Sequence, residues 1–95
     1  MPLFVLNCID KPDSHALRAA NRPAHIGYLT QHPAFRLGGP FLDESERPVG
    51  SMIIVETEDA AAALTISQAD PYRLAGLYER VDIRGWRYVA GAISG

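Results

Sequence analysis

The sequence predicts an α+β fold in the order β-α-β-β-α-β, an antiparallel sheet with both helices on one face. Three observations point there. Apolar, β-rich runs stand at residues 3–9, 51–56 and 77–88; the stretches between carry helical spacing and turn residues; and 95 residues are enough for a single domain, 1–95. With 47% apolar and 21% charged residues, the composition is that of a globular protein rather than a disordered chain or a coiled coil.

Leu3-Phe4-Val5-Leu6-Asn7-Cys8-Ile9 is a short apolar run closed by Asp10, Pro12 and Asp13, which fits a strand buried on both faces. A first helix follows over about 14–32, with Ser14 as its cap. Pro23 lacks the N–H that a helix interior needs, so the expectation is two helical pieces, with Pro23 at the first position of the second. His32-Pro33 stops it. Phe35-Arg36-Leu37 then opens an extended edge segment whose Gly38-Gly39-Pro40 suggests a kink where backbone approaches a pocket or a partner chain. The polar stretch Asp43 to Pro48 links it to Ser51-Met52-Ile53-Ile54-Val55-Glu56, and the two make a hairpin.

Thr57 can cap a second helix over about 58–69, with Glu58 and Asp59 at its positive end and Ala60, Ala63, Leu64 and Ser67 along one side. Asp70-Pro71-Tyr72 ends it. Leu77 to Tyr88 reads as the last strand, Val81 and Ile83 alternating with Arg80, Asp82 and Arg84, and Gly85 suggests a bulge. The order is that of the ferredoxin-like split βαβ, whose second sheet face needs a cover. A chain this short buries only about 60–70% of its unfolded surface and gains from association, so a sheet-to-sheet homodimer, or a higher even oligomer, is expected.

The charge balance of −2 and the scattered arginines argue against nucleic acid as a partner. The longest apolar run, Ala60 to Leu64, is far short of the roughly 20 residues that span a bilayer, so no membrane segment is expected. One cysteine, Cys8, permits no internal disulfide; with no basic, apolar leader pattern, the expectation is a cytoplasmic protein with a core thiol. The glycines lack phosphate-loop spacing, residues 15, 25 and 32 lack the spacing of a helical zinc pair, and Ser51 lies in no nucleophile elbow. Neither cofactor nor metal is expected.

His25 stands out among the histidines because it follows Pro23 in a first helical turn, between the small Ala24 and Gly27, where a ligand has room and a neutral imidazole could act as base. Asp70 could orient such an imidazole or simply start a turn. On the residues alone, the plainer role is favoured for both. His15 reads as a solvated turn residue, His32 as a helix-end residue, and Asp10 and Asp13 as loop or capping groups. Trp86 and Tyr88 read as interface or core aromatics.

Asp10-Lys11-Pro12-Asp13-Ser14, Arg22-Pro23-Ala24-His25, Gly39-Pro40, Gly50-Ser51 and Ala69-Asp70-Pro71-Tyr72 with Gly76, in this order and spacing, resemble the YCII-related (YciI-like) family over residues 3–87. The resemblance implies a ferredoxin-like dimer of the dimeric α+β barrel group, similar in architecture to muconolactone isomerase. It also implies a histidine–aspartate pair, falling here on His25 and Asp70, in a pocket near the dimer interface, with Arg22, Ser51 and Tyr72 lining it to bind substrate. Most such proteins have no assigned substrate; a minority resemble lyases acting on small, often chlorinated aromatics without a cofactor. The implied function is therefore acid–base chemistry of lyase or isomerase type on a small cyclic or aromatic compound. A non-catalytic metabolite-binding or interaction module is the alternative. This chain departs from the family pattern at Arg84-Gly85-Trp86-Arg87, where glycine stands in a place at which proline is common.

Overall fold

The computed structural model describes residues 1–92. The chain runs β1 (Leu3–Asp10), α1 (His15–Gln31), β2 (Phe35–Leu42), β3 (Pro48–Glu56), α2 (Ala60–Gln68), a single turn α3 (Pro71–Leu74) and β4 (Tyr78–Trp86). The four strands form one antiparallel sheet in the order β2-β3-β1-β4, the ferredoxin-like arrangement, with β2 at an edge.

Register sorts the side chains into two faces, because partners across a ladder share a face. Leu6 pairs with Ile53 and Ile83, and Cys8 with Ser51 and Val81. This face meets Leu29 of α1 and Ala63 and Ile66 of α2, all buried. Complete burial of side chains such as Leu6, Ile53 and Val55 stabilises by about 1.5–3 kcal/mol each. The Tyr28 hydroxyl donates to the Ile66 carbonyl at 2.7 Å, tying α1 to α2. Among the described residues no helix covers the opposite face, which holds Val5, Asn7, Ile9, Met52 and Ile54, with Leu37, Phe41 and Trp86 more exposed around them and the charged Arg80, Asp82 and Arg84 of β4 along one side.

Two glycines are forced. A Cβ on Gly50 would lie 2.5 Å from the Cys8 carbonyl oxygen of the neighbouring strand, and Gly76, at φ +77, turns the chain from α3 into β4.

Several sequence expectations are corrected. α1 is one helix with Pro23 inside it, not two pieces. The Ala19 carbonyl loses its usual helical donor, but Arg18 and His25 are each anchored to other elements, and these anchors hold the helix on both sides of the proline. Ser14 stands at the N-cap without a capping bond, its hydroxyl donating to the Pro12 carbonyl instead. Asp59, not Thr57, caps α2 by accepting from the Ala62 N–H at 2.8 Å, so the helix starts two residues later than expected. The bulge lies between Ile9 and Asp10 against the start of β4, whereas Gly85 pairs regularly with Phe4. β3 begins at Pro48, before the expected Ser51, and β4 ends at Trp86, short of Tyr88. Of the two roles expected for Trp86 and Tyr88, only the core is excluded: the rings contact each other edge-on and stay exposed.

Candidate active site

Arg18, Arg22, His25 and Leu29 recur at spacings of four, three and four and so share one face of α1. That face looks across a cavity of about 540 Å³ at the β2–β3 hairpin, with Tyr72 of α3 closing it from within.

His25 is buried on this wall. Its Nδ1 lies 2.8 Å from Asp70 Oδ1 and 3.0 Å from Oδ2, and Asp70 is itself only 2% exposed. Asp70 is also the N-cap of α3, where it accepts from the Tyr72 N–H at 2.9 Å, and this bond fixes the carboxylate relative to the backbone. An ionised carboxylate only accepts, so the proton of a neutral His25 resides on Nδ1 and the lone pair on Nε2. Nε2 has no hydrogen-bond partner among the described residues, and His25 lines the cavity. The imidazole stacks on the Tyr72 ring with centroids 3.8 Å apart, so both its tilt and its rotation are constrained.

A second polar cluster backs the same wall. Arg18 Nε and Nη2 donate to Asp10 at 2.7 and 3.0 Å, and Nη2 also donates to Ser51 Oγ at 2.9 Å. The guanidinium lies over the Tyr72 ring, 4.7 Å from its centroid, so that one aromatic ring supports both the cation and the imidazole. Tyr78 donates to Ser51 Oγ at 3.3 Å, so Ser51 accepts twice and retains its own O–H proton. Burial disfavours the Arg18 charge, but the hydrogen bonds and charge of Asp10 more than offset this and hold its pKa above the ordinary value. Burial raises the Tyr72 hydroxyl against the opposing pull of Arg18 and raises Tyr78 strongly; it pushes the Cys8 thiol up to about 12. These three groups keep their protons at neutral pH, so none of them serves as a base there.

All five residues expected at the site line the cavity or back it: His25, Tyr72, Arg22 and Ser51 on its surface, Asp70 behind the imidazole. Gly38, Gly39 and Pro40 border it too. Two placements differ from expectation. Asp10 is an ion-pair partner inside the wall, not a loop or capping group, and His15 is half-buried on the cavity lining, not a solvated turn residue. Asp13 stays in the turn at φ 55, and His32 caps the end of α1 while its Nδ1 accepts from the Ala34 N–H. Arg18 escapes a reading of the sequence because a lone arginine reads as surface; its four-three-four spacing with Arg22, His25 and Leu29 is the available signal. Among the described residues, no group of His, Cys, Asp or Glu side chains is clustered as a metal site.

The model of the YCII-related domain matches residues 2–87. The chain belongs to the YCII-related family. Its YciI-like relatives include Protein YciI of Escherichia coli O6:H1 (strain CFT073) and of Shigella flexneri, each 38% identical over 96 residues, covering 92% of this chain and 98% of the relative. Among solved structures, the chain is similar to 5-chloro-2-hydroxyhydroquinone dehydrochlorinase (TftG) from Burkholderia phenoliruptrix AC1100 in complex with 2,5-dihydroxybenzoquinone. The TM-score is 0.82 at 28% identity, over 92% of this chain and 95% of that one. An antibiotic biosynthesis monooxygenase shares the fold at a TM-score of 0.59 and 18% identity, over 95% of this chain and all of that one. No helix among the described residues is long and apolar enough to cross a membrane.

Proposed function

We propose that this YciI-like protein is a small-molecule enzyme of lyase or isomerase type that moves protons with His25 and Asp70 and needs no cofactor for the reaction. One observation carries the reading: an imidazole whose Nδ1 is held by a buried carboxylate, with Nε2 unpartnered, on the wall of a cavity of small-ligand size. Likeness to a dehydrochlorinase holding a dihydroxybenzoquinone supports a small cyclic or aromatic substrate.

In an elimination, Nε2 takes a proton from the substrate, the freed electron pair forms the new double bond, and the leaving group departs with the electrons of its own bond. In an isomerisation, the same nitrogen returns the proton to another atom. Asp70 is a positioning residue in both, fixing the Nδ1–H tautomer and stabilising the imidazolium that forms. Arg22, Ser51 and Tyr72 hold the substrate. The test is turnover on chlorinated hydroxyhydroquinones, and on quinones and lactones picked by a thermal-shift screen. H25A and D70N should each lose about 10²–10⁴-fold. Ligand stabilisation with no turnover on any of these compounds would instead make the chain a binding module.

We propose further that the protein is a homodimer through its uncovered sheet face. Val5, Ile9, Met52 and Ile54 make the β1–β3 part of that face apolar, beside the charged β4 row of Arg80, Asp82 and Arg84, and the buried Asn7 Oδ1 on it has no hydrogen-bond partner among the described residues. L37E, on the exposed part of that face, should give a monomer in multi-angle light scattering where the wild type gives a dimer; equal masses for the two proteins would contradict the assignment.

A further inference from the structure

We infer that the cavity selects a small ring compound carrying an anionic oxygen group, a carboxylate or an ionised phenol, held between Arg22 and Arg47. The inference rests on the proposed function in taking this cavity as the substrate site, and it adds the charge of the substrate.

The argument is a census of charge around the cavity. Three arginines, Arg18, Arg22 and Arg47, and two histidines line it, and no Asp or Glu does, in a chain whose net charge is −2. The excess of positive charge is therefore local. One of these cations, Arg18, is compensated from behind the wall by Asp10, and the His25 imidazole is held there by Asp70. Arg22 and Arg47 are different. Among the described residues, neither side chain has a carboxylate within ion-pair distance, although Arg36, Arg80 and Arg18 all do. Asp43, an exposed residue whose carboxyl is held low mainly by its backbone hydrogen bonds, receives only weaker help from the Arg47 and His15 charges. The Arg22 charge acts inward, where it opposes the upward shift of the Tyr72 hydroxyl.

The two arginines come from different walls, Arg22 from α1 and Arg47 from the residue before β3. Their charge-assisted donors are suited to the oxygens of an anion, with Ser51 keeping one further O–H proton on the same lining. Much of the remaining lining is apolar, from Ile26, Leu29, Phe35 and Ile53, and matches a hydrocarbon or aromatic body. Charge on one end and an apolar body on the other describe the ligand. A negative substrate would also favour the imidazolium that forms when His25 accepts a proton.

Calorimetric titration of the wild-type protein with benzoate and with 2,4-dinitrophenolate, against neutral benzamide and 1,3-dinitrobenzene, tests this. At least one anion should bind in preference to its neutral counterpart and weaken with added salt; which of the two binds distinguishes carboxylate from phenolate. R22Q and R47Q, both at exposed positions, should each weaken the anion about tenfold while melting like wild type. D70N should bind it at least as well as wild type, because it removes a negative charge from behind the site. Neutral compounds binding as tightly as the anions, unchanged anion affinity in both arginine variants, or no anion binding would overturn the inference. Anion binding with full turnover in H25A and D70N would refute the acid–base reading and leave this one standing.

Discussion

α1 and α2 lie on the same face of the same sheet, yet they bury different chemistry. α2 turns Ala63, Ile66 and Ser67 inward and works as a cover for the core. α1 turns in Arg18 and His25 beside a single aliphatic anchor, Leu29. A helix that served stability alone would not put a guanidinium and an imidazole where leucines fit, because each buried polar group must find a partner to repay its desolvation. Here the partners come from other elements: Asp10 from the end of β1, Ser51 from β3 and Asp70 from the cap of α3. The contrast separates the half of the layer that holds the fold from the half that holds the site.

The largest expected effect sharpens that contrast by a double dissociation. I66A should cost folding stability, about 2–4 kcal/mol by denaturant titration, with turnover per folded molecule unchanged. D70N should do the reverse, losing about 10²–10⁴-fold in turnover with a small change in stability, since asparagine can still cap α3 through its carbonyl oxygen. Equal activity losses in the two variants would erase the division between the helices.

Arg18 tests the same division from inside α1. R18M leaves the Asp10 carboxylate buried without its cation, and should destabilise by about 3–5 kcal/mol. D10L/R18M removes both charges and should recover part of that loss. A double variant no more stable than the single would contradict the unpaired Asp10 carboxylate as the source of the loss.

The smallest effect concerns pH. Cys8 and Tyr78 sit in the core with pKa values raised in the folded state, so the unfolded chain gives up these protons first. Their contribution is complete below the ordinary thiol value of 9.0 and is lost as pH rises from there toward the folded Cys8 value of about 12. The thiol part should amount to about 1 kcal/mol for each pH unit in that interval. Melting curves should fall with alkalinity, and C8A should fall less steeply; equal slopes would remove Cys8 from the account.

Much of the fold was legible because it is written in apolar periodicity. Leu3 to Ile9, Ile53 to Val55 and the alternation around Val81 and Ile83 mark strands, and the order of elements follows from them. What escaped depends on tertiary context. Pro23 reads as a break until the anchors on either side of it are known. Thr57 reads as the cap with Asp59 in the first turn, and only the approach of the Ala62 N–H shows that Asp59 takes that place. The bulge at Ile9–Asp10 follows from how β4 enters the sheet, which no local residue announces.

The site was legible in a different way. His25 and Asp70 lie 45 residues apart in sequence, and neither stands out alone, so family resemblance rather than local pattern brought them together. Arg18 and Asp10 stayed hidden because charged residues read as solvated unless their partners are in view. The spacing of Arg18, Arg22, His25 and Leu29 along one helical face was the available clue.

The most direct measurement is the tautomer of His25, read from imidazole ¹H–¹⁵N correlation spectra of wild type and D70N under conditions where the ring is neutral. The carboxylate of Asp70 requires the proton on Nδ1 with Nε2 bare, and an asparagine amide donating to Nδ1 should move the proton to Nε2. An Nδ1–H ring in wild type that switches in D70N is the predicted result. An Nε2–H ring in wild type, or one that ignores the substitution, would contradict the role given to the His25–Asp70 pair.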